Sequence, residues 1–135
     1  MTPYVFELEF EVRDYECDLE GVVNNAVYLN YLEHARHNFL RTQGLDFAQL
    51  HDQGCDLVMT RAEIDYKIPL RSGDRFVVRL NVGRQSRLRF VFDQAIYRLP
   101  RFDLALEARI VGTGIIAGKP GLPDEIQALL DNQPS

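Results

Sequence analysis

Residues that could attack a carbonyl group are concentrated in one polar stretch, residues 14–24. Asp18 and Gly21 stand within it, and Asn24 and Asn25 lead into a segment of helical character. The first turn of a helix presents unpaired backbone N–H groups and a partial positive charge. Those groups can stabilise a developing oxyanion, and a nearby carboxylate can act as a base or a nucleophile. Acidic residues before a helix also occur simply because they complement its dipole, so both interpretations stay open on this pattern.

Cysteine and histidine residues are weaker candidates for chemistry. Cys17 adjoins Asp18, but neighbouring side chains of an extended segment point to opposite sides, so we interpret Cys17 as structural. His34 and His37 stand three residues apart on one helical face, a spacing that suits metal ligation. Because the chain has three histidines and no other ligand at a matching spacing, we predict no metal site.

A strand and a long helix flank the polar stretch. Residues 4–13 alternate between apolar and charged side chains, which is typical of a half-buried strand. Residues 25–42 change to a helical period with only a narrow polar strip, so we expect other structure to wrap this helix. Asn24 or Asn25 can cap its start, and Gly44 can end it.

The rest of the chain is predicted to be mainly strands. Four are expected, at 56–68, 75–82, 89–97 and 104–116, with a short helix or turn at 47–53 and a final helix at 123–130 that begins with Pro123. Consecutive strands with short loops favour an antiparallel sheet that curls around the single long helix, an α+β architecture. Because such a sheet covers the helix on one side only, we expect a homo-oligomer.

Length and composition fit a compact protein with one domain, residues 1–135. Hydrophobic residues make up 46% and charged residues 26%, which argues against intrinsic disorder. The net charge of −5 argues against a general nucleic-acid binder. No apolar run approaches the roughly 20 residues of a membrane span, and we find no signal-peptide pattern. Two cysteines, Cys17 and Cys55, do not form a disulfide framework, so we expect a cytoplasmic protein.

The run from Asp18 to Tyr28, DLEGVVNNAVY, with NYLE after it, resembles the signature of the hotdog-fold thioesterases of the 4-hydroxybenzoyl-CoA thioesterase type. The predicted element order is also the hotdog order, so the resemblance covers nearly the whole chain. It implies a five-stranded antiparallel sheet wrapped around one long helix. Residues 12–16 (VRDYE) and 69–73 (PLRSG) are most similar to the plant and cyanobacterial acyl-lipid and methylketone-pathway thioesterases, which hydrolyse acyl-acyl carrier protein thioesters.

The resemblance implies roles for individual residues. Asp18 matches the catalytic carboxylate, as general base or nucleophile toward the thioester carbonyl. Asn25 matches the residue at the helix start whose backbone N–H polarises that carbonyl, and Glu33 matches a helix glutamate of bacterial relatives. Gly21 matches a loop glycine whose missing Cβ lets the backbone approach the substrate. Three further residues are expected to contact substrate: Val22, Asn24 and Tyr28.

Arginines cluster around a predicted hairpin at residues 83–89. Arg84, Arg87 and Arg89 fit the solvated face of strands, but they could also form a basic edge in an acidic protein. Such an edge would bind the phosphates of coenzyme A, or the phosphopantetheine and acidic surface of acyl carrier protein. We therefore include them among the predicted substrate-binding residues.

The predicted activity is hydrolysis of fatty acyl-acyl carrier protein, or of acyl-CoA, to a free acid and a thiol. A thioester carbonyl is already electrophilic, so we predict no metal and no organic cofactor. The resemblance implies an active site between two protomers and a homotetramer built as a dimer of dimers. Two alternatives are an aromatic acyl-CoA thioesterase of the hydroxybenzoyl- or dihydroxynaphthoyl-CoA type and a non-catalytic acyl-thioester-binding protein, which Asp18 disfavours.

Overall fold

A computed structural model describes residues 4–133 of the chain. Within that part, the elements follow one another as β1 (Phe6–Glu11), α1 (Asn25–Thr42), α2 (Phe47–Asp52), β2 (Cys55–Tyr66), β3 (Arg75–Ser86), β4 (Arg89–Arg98), β5 (Asp103–Ile116), β6 (Lys119–Pro120) and α3 (Asp124–Asp131). A single 3₁₀ turn, Asp14–Glu16, lies between β1 and α1. None of the helices in this part of the chain has both the length and the hydropathy needed to cross a bilayer.

The strands form one antiparallel sheet in the order β1-β3-β4-β5-β2, and the two-residue β6 extends the end of β5. α1 packs against the inner face of this sheet. Its buried side chains are Tyr28, Tyr31, Leu32, Ala35, Phe39 and Leu40. The predicted architecture, five long antiparallel strands wrapped around one long helix, is therefore confirmed.

The core is built where apolar faces of strands meet the helix. In β1 burial alternates residue by residue, as the sequence predicts, so that Phe6 and Phe10 face inward. Phe10 stacks on the fully buried Phe76 of β3, with ring centroids 5.1 Å apart, and the Tyr31 ring lies 4.7 Å from Phe76. Aromatic pairs of this kind stabilise a core beyond their buried area. This cluster fixes α1 against the sheet next to the start of the helix.

Three details of the prediction are wrong. β3 does not end at residue 82 but continues to Ser86, because Gly83 and Arg84 pair with the apolar start of β4. Pro123 caps α3 and is not its first helical residue. β6 was not predicted, because two residues show no periodicity. It forms through a turn at Ala117 and Gly118, whose φ angles of 50° and 81° are those of a tight hairpin turn.

Candidate active site

The segment between β1 and α1 is held against the loop that precedes β3. The amide of Val23 donates to the carbonyl of Leu70 at 2.8 Å, and the amide of Val12 donates to the carbonyl of Asp74 at 2.8 Å. A short bridge also joins Val22 to Arg71. Thus the two motifs that carry the family resemblance, separated by about fifty residues in sequence, form one surface.

Two buried tyrosines of α1 anchor these loops to the helix. The hydroxyl of Tyr31 donates to Oε1 of Glu16 at 2.8 Å, and the same oxygen accepts the amide of Arg13 at 2.8 Å. The hydroxyl of Tyr28 accepts the amide of Leu70 at 3.1 Å. Burial raises the pKa of both tyrosines, and the Glu16 carboxylate raises the pKa of Tyr31 further. Both phenols therefore stay neutral near pH 7 and act as anchors.

The start of α1 leaves one amide open. Asn24 is the N-cap: its Oδ1 accepts the amide of Ala26 at 3.0 Å, and its carbonyl accepts the amide of Val27 at 2.9 Å. The amide of Asn25 has no hydrogen-bond acceptor within residues 4–133. An unpaired first-turn N–H at the positive end of a helix can bind an oxyanion. The structure thus assigns the cap to Asn24 and leaves the open donor on Asn25.

Asp18 is exposed, and one of its carboxylate oxygens shapes its own turn. Oδ1 accepts the amide of Glu20 at 2.9 Å and, more weakly, the amide of Val22 at 3.5 Å. The amide of Gly21 donates to the Asp18 carbonyl at 3.0 Å, and the φ of +79° at Gly21 explains why glycine is required there. Oδ2 has no bond to the described residues, so it is available to accept a proton.

A cavity of about 260 Å³ lies at the start of α1. Of the predicted substrate contacts, Val22 and Tyr28 line it together with Asn25. Asp18 does not line it but is bonded to Val22, which does. The opposite wall comes from the end of β2 and the residues after it: Tyr66, Lys67, Ile68 and Pro69. The sequence did not predict that these wall residues lie at the site. Its one signal was Pro69, which opens the 69–73 motif of the family resemblance, whereas β2 itself ends at Tyr66.

The structure does not bring Glu33 to Asp18 within one protomer. Glu33 lies eight residues after Asn25 on α1, which is about 12 Å along the helix axis. Its carboxylate is 3.7 Å from Nε2 of His37, and it lines a different, larger cavity of about 620 Å³.

The predicted arginine cluster is also remote from Asp18 of the same protomer. Arg75 begins β3 next to the Asp18 segment, whereas Arg84 lies nine residues further along the strand, about 30 Å away. Arg84 pairs with Asp131 of α3 at 3.2 Å. Arg87 and Arg89 are exposed at the turn between β3 and β4. These arginines are therefore too far from Asp18 to contact the reacting thioester within one protomer.

Known proteins share this fold and much of this sequence. The profile of the thioesterase-like superfamily matches residues 12–130. A chloroplastic acyl-acyl carrier protein thioesterase of Arabidopsis thaliana is 44% identical over 103 residues, which are 76% of this chain and 54% of that protein. An acyl-CoA thioesterase of Haemophilus influenzae is 34% identical over 94 residues, 66% of this chain and 68% of that protein. The chain thus spans little more than half the length of the Arabidopsis relative it matches.

Solved structures agree with the sequence matches. The crystal structure of a 1,4-dihydroxy-2-naphthoyl-CoA thioesterase from Synechocystis superposes with a TM-score of 0.87 at 26% identity, covering 94% of this chain and 96% of that one. The family predicted from the Asp18–Tyr28 run is therefore confirmed. The chain belongs to the thioesterase-like superfamily and has the hotdog fold.

Proposed function

We propose that this protein hydrolyses acyl thioesters, with fatty acyl-acyl carrier protein as the preferred substrate class and acyl-CoA as the second. The observations that carry the proposal are that Asp18 keeps one carboxylate oxygen free and is bonded to Val22, and that Val22 lines the same cavity as Asn25, whose amide is open at the start of α1. The activity in the name of the Arabidopsis relative supports the carrier-protein substrate. The prediction of a cofactor-free reaction remains part of this proposal.

The reaction follows from these two groups. The thioester carbonyl oxygen accepts the amide of Asn25, which stabilises the negative charge that develops there. Asp18 takes a proton from water as the water oxygen bonds to the carbonyl carbon, or it attacks that carbon itself to give an anhydride that water then opens. In the first route the C–S bond then breaks and the thiolate takes the proton that Asp18 accepted. In the second route the C–S bond breaks as the anhydride forms, and the water that opens the anhydride supplies the proton for the thiolate. A general base contributes about 10²–10⁴-fold to such a step.

We infer that the complete site forms between two protomers paired through β2. β2 is a twelve-residue edge strand, and its exposed apolar side chains include Val58, Met59 and Tyr66. A long apolar edge of this kind is a surface for pairing with another strand. A two-fold axis would pair the two β2 strands antiparallel, which sets the Tyr66 end of one strand beside the Cys55 end of the other.

This pairing would complete the predicted site. Cys55 lies at the end of the sheet that carries the turn between β3 and β4, and residues 55–59 line the same cavity as Glu33. The partner's Glu33 would therefore approach Asp18 and Asn25, and so would the partner's turn between β3 and β4. We call this turn, which carries Arg87 and Arg89, the arginine turn. We further propose a dimer of such dimers, from the family resemblance, and a cytoplasmic location, from the cysteine content.

A substrate panel tests the proposed function. The panel contains octanoyl to palmitoyl thioesters of acyl carrier protein and of CoA, together with 4-hydroxybenzoyl-CoA and 1,4-dihydroxy-2-naphthoyl-CoA. We expect kcat/KM to be at least about tenfold higher for a fatty acyl-acyl carrier protein than for either aromatic thioester, a preference worth about 1.4 kcal/mol. The structural similarity to the Synechocystis enzyme favours the aromatic substrates as the second candidate. Binding of acyl thioesters without any turnover would contradict both.

The arginine turn has its own test. Reversing the charge at both Arg87 and Arg89 to glutamate should raise KM for acyl-acyl carrier protein about tenfold, because charges at a rim steer an acidic partner. KM for a short thioester of N-acetylcysteamine, which has no acidic carrier, should not change. Arg109→Glu is the matched control, since Arg109 is exposed in the middle of β5 beside Asp93. Equal effects on both substrates would remove docking from the role of these arginines.

A further inference from the structure

The larger cavity, of about 620 Å³, lies beside the C-terminal half of α1 and combines an apolar floor with a few charged groups. The apolar floor includes Leu40, Leu57, Phe90, Phe92 and Ile110. The charged groups at its wall and rim are Glu33, Arg36, Arg41 and Asp56. Its size is in the range of cavities that bind small organic ligands.

Arg36 is the charged group that the fold positions most firmly in this wall. Its Nη1 donates to Oε1 of Gln94 on β4 at 3.0 Å. Gln94 is only 3% exposed, and its Nε2 donates to the carbonyl of Leu32 at 3.1 Å. The carbonyl of Leu32 thus orients the side-chain amide of Gln94. Oε1 of Gln94 in turn orients the guanidinium of Arg36 beside the cavity.

Arg36 makes no ion pair with a carboxylate among the described residues, although the charge of Glu33 acts on it through space and opposes the larger effect of burial on its pKa. Of the two carboxylates at the rim, Asp56 lies 2.7 Å from Nδ1 of His51, and Glu33 lies 3.7 Å from Nε2 of His37. His37 is neutral near pH 7, because burial lowers its pKa, so it does not form a charged pair with Glu33. Burial lowers the pKa of Arg36, because a partly desolvated cation is disfavoured. A guanidinium has five N–H donors, and Gln94 accepts one of them. The other donors have no acceptor among the described residues.

We propose that this cavity binds a fatty carboxylate, with the carboxylate accepting hydrogen bonds from Arg36 and the hydrocarbon chain lying along Leu40, Phe90 and Ile110. The guanidinium edge formed by Nε and Nη2 matches a carboxylate in a bidentate arrangement. The apolar floor excludes a small hydrophilic anion as the best ligand. Arg36 lies eleven residues after Asn25 on α1, about 16 Å along the axis, so this site is separate from the Asn25 amide of the same protomer.

Binding of the acid does not depend on the proposed function, but one consequence does. The acid released by thioester hydrolysis belongs to the class that this cavity would bind. In the dimer proposed above, the cavity adjoins the partner's Asp18 segment, so the acid would compete with the acyl chain of the substrate. The enzyme would then be inhibited by its product.

Calorimetry with dodecanoate and with dodecan-1-ol tests the site, because the two ligands share a chain length and differ in charge. We expect the wild-type protein to bind dodecanoate at least about tenfold more tightly, as hydrogen bonds to charged groups contribute tenfold to hundredfold in affinity. Arg36→Met should lose about that factor for dodecanoate and leave the affinity for dodecan-1-ol unchanged. Arg41→Met is the matched control, since Arg41 lines the same cavity but is exposed, and it should keep the wild-type preference.

Equal wild-type affinities for the two ligands would overturn the proposal, as would unchanged dodecanoate binding in Arg36→Met or an equal loss in Arg41→Met. If Arg36→Met does not fold, Arg36→Lys keeps the charge but not the bidentate edge. That variant should bind dodecanoate more weakly than the wild type and still prefer it to the alcohol. Dodecanoate binding by a protein that hydrolyses no thioester would contradict the proposed function and leave this site standing.

Discussion

Asp18→Asn is expected to lower kcat for acyl-thioester hydrolysis by about 10²–10⁴-fold, because an amide cannot take the proton or form the acyl bond. Asparagine keeps the Oδ1 acceptor that holds the Glu20 amide, so the turn should persist. Steady-state kinetics with the best substrate of the panel measures the effect, and an unchanged melting temperature confirms that the fold is intact.

Glu20→Gln is the control for this measurement, because Glu20 is an exposed acid two residues away whose backbone, not its side chain, bonds to Asp18. Its kcat should stay within about twofold of the wild type, the scale of surface substitutions. Wild-type turnover in Asp18→Asn would remove Asp18 from the mechanism. Asp18→Ala is a less clean test, since it also deletes the acceptor of the turn.

Met59→Asp is expected to give monomers and to lower hydrolysis by about 100-fold or more, the scale of loss when catalytic groups are misplaced. Met59 is 52% exposed on β2. A two-fold pairing of these strands would bury the two new carboxylates in the interface without a positively charged partner, and removing such charges from water costs free energy. Analytical ultracentrifugation measures the assembly and a thioester assay measures the activity. Phe102→Asp, which also replaces an exposed apolar side chain, should change neither.

Mixing two inactive variants separates a shared site from a merely stabilising contact. If Glu33 acts on the partner's substrate, a dimer of one Asp18→Asn protomer and one Glu33→Gln protomer contains one intact site. Refolding the two variants together should then restore part of the activity that each has lost alone. A mixture that stays as inactive as its components, although mixed dimers form, would contradict a site shared between protomers.

The elements that the sequence predicts best are those whose local pattern agrees with their tertiary surroundings. The bounds of α1 are confirmed because its apolar period and the cap at Asn24 both mark the same helix. The predicted end of β3 at residue 82 is wrong because Gly83 favours a turn locally, whereas in the structure Gly83 pairs with Val91 of the neighbouring strand β4. That partner lies eight residues further along the chain, on the other side of the turn, so the residues around Gly83 do not contain the information.

The same distinction applies to the candidate site. The resemblance predicts roles for Asp18 and Asn25, because the motif that carries them is short and continuous. It does not identify Tyr31 as the anchor of Glu16, fifteen residues away, or Gln94 as the partner of Arg36, fifty-eight residues away. These pairs arise from the packing of α1 against the first loop and the sheet, and residue types alone do not specify them.

The Asp18 side chain has two roles, a bond that shapes its turn and the proposed reaction with the thioester. These two roles limit which residues can replace Asp18 during evolution. Because Oδ1 shapes the turn, a substitution that removes this oxygen would remove both the proposed reactive group and the bond that holds the backbone of the turn. Asparagine preserves the conformation and loses only the reactivity. An inactive paralogue that still carries acyl thioesters is therefore expected to have asparagine at this position, or else a remodelled loop of different length.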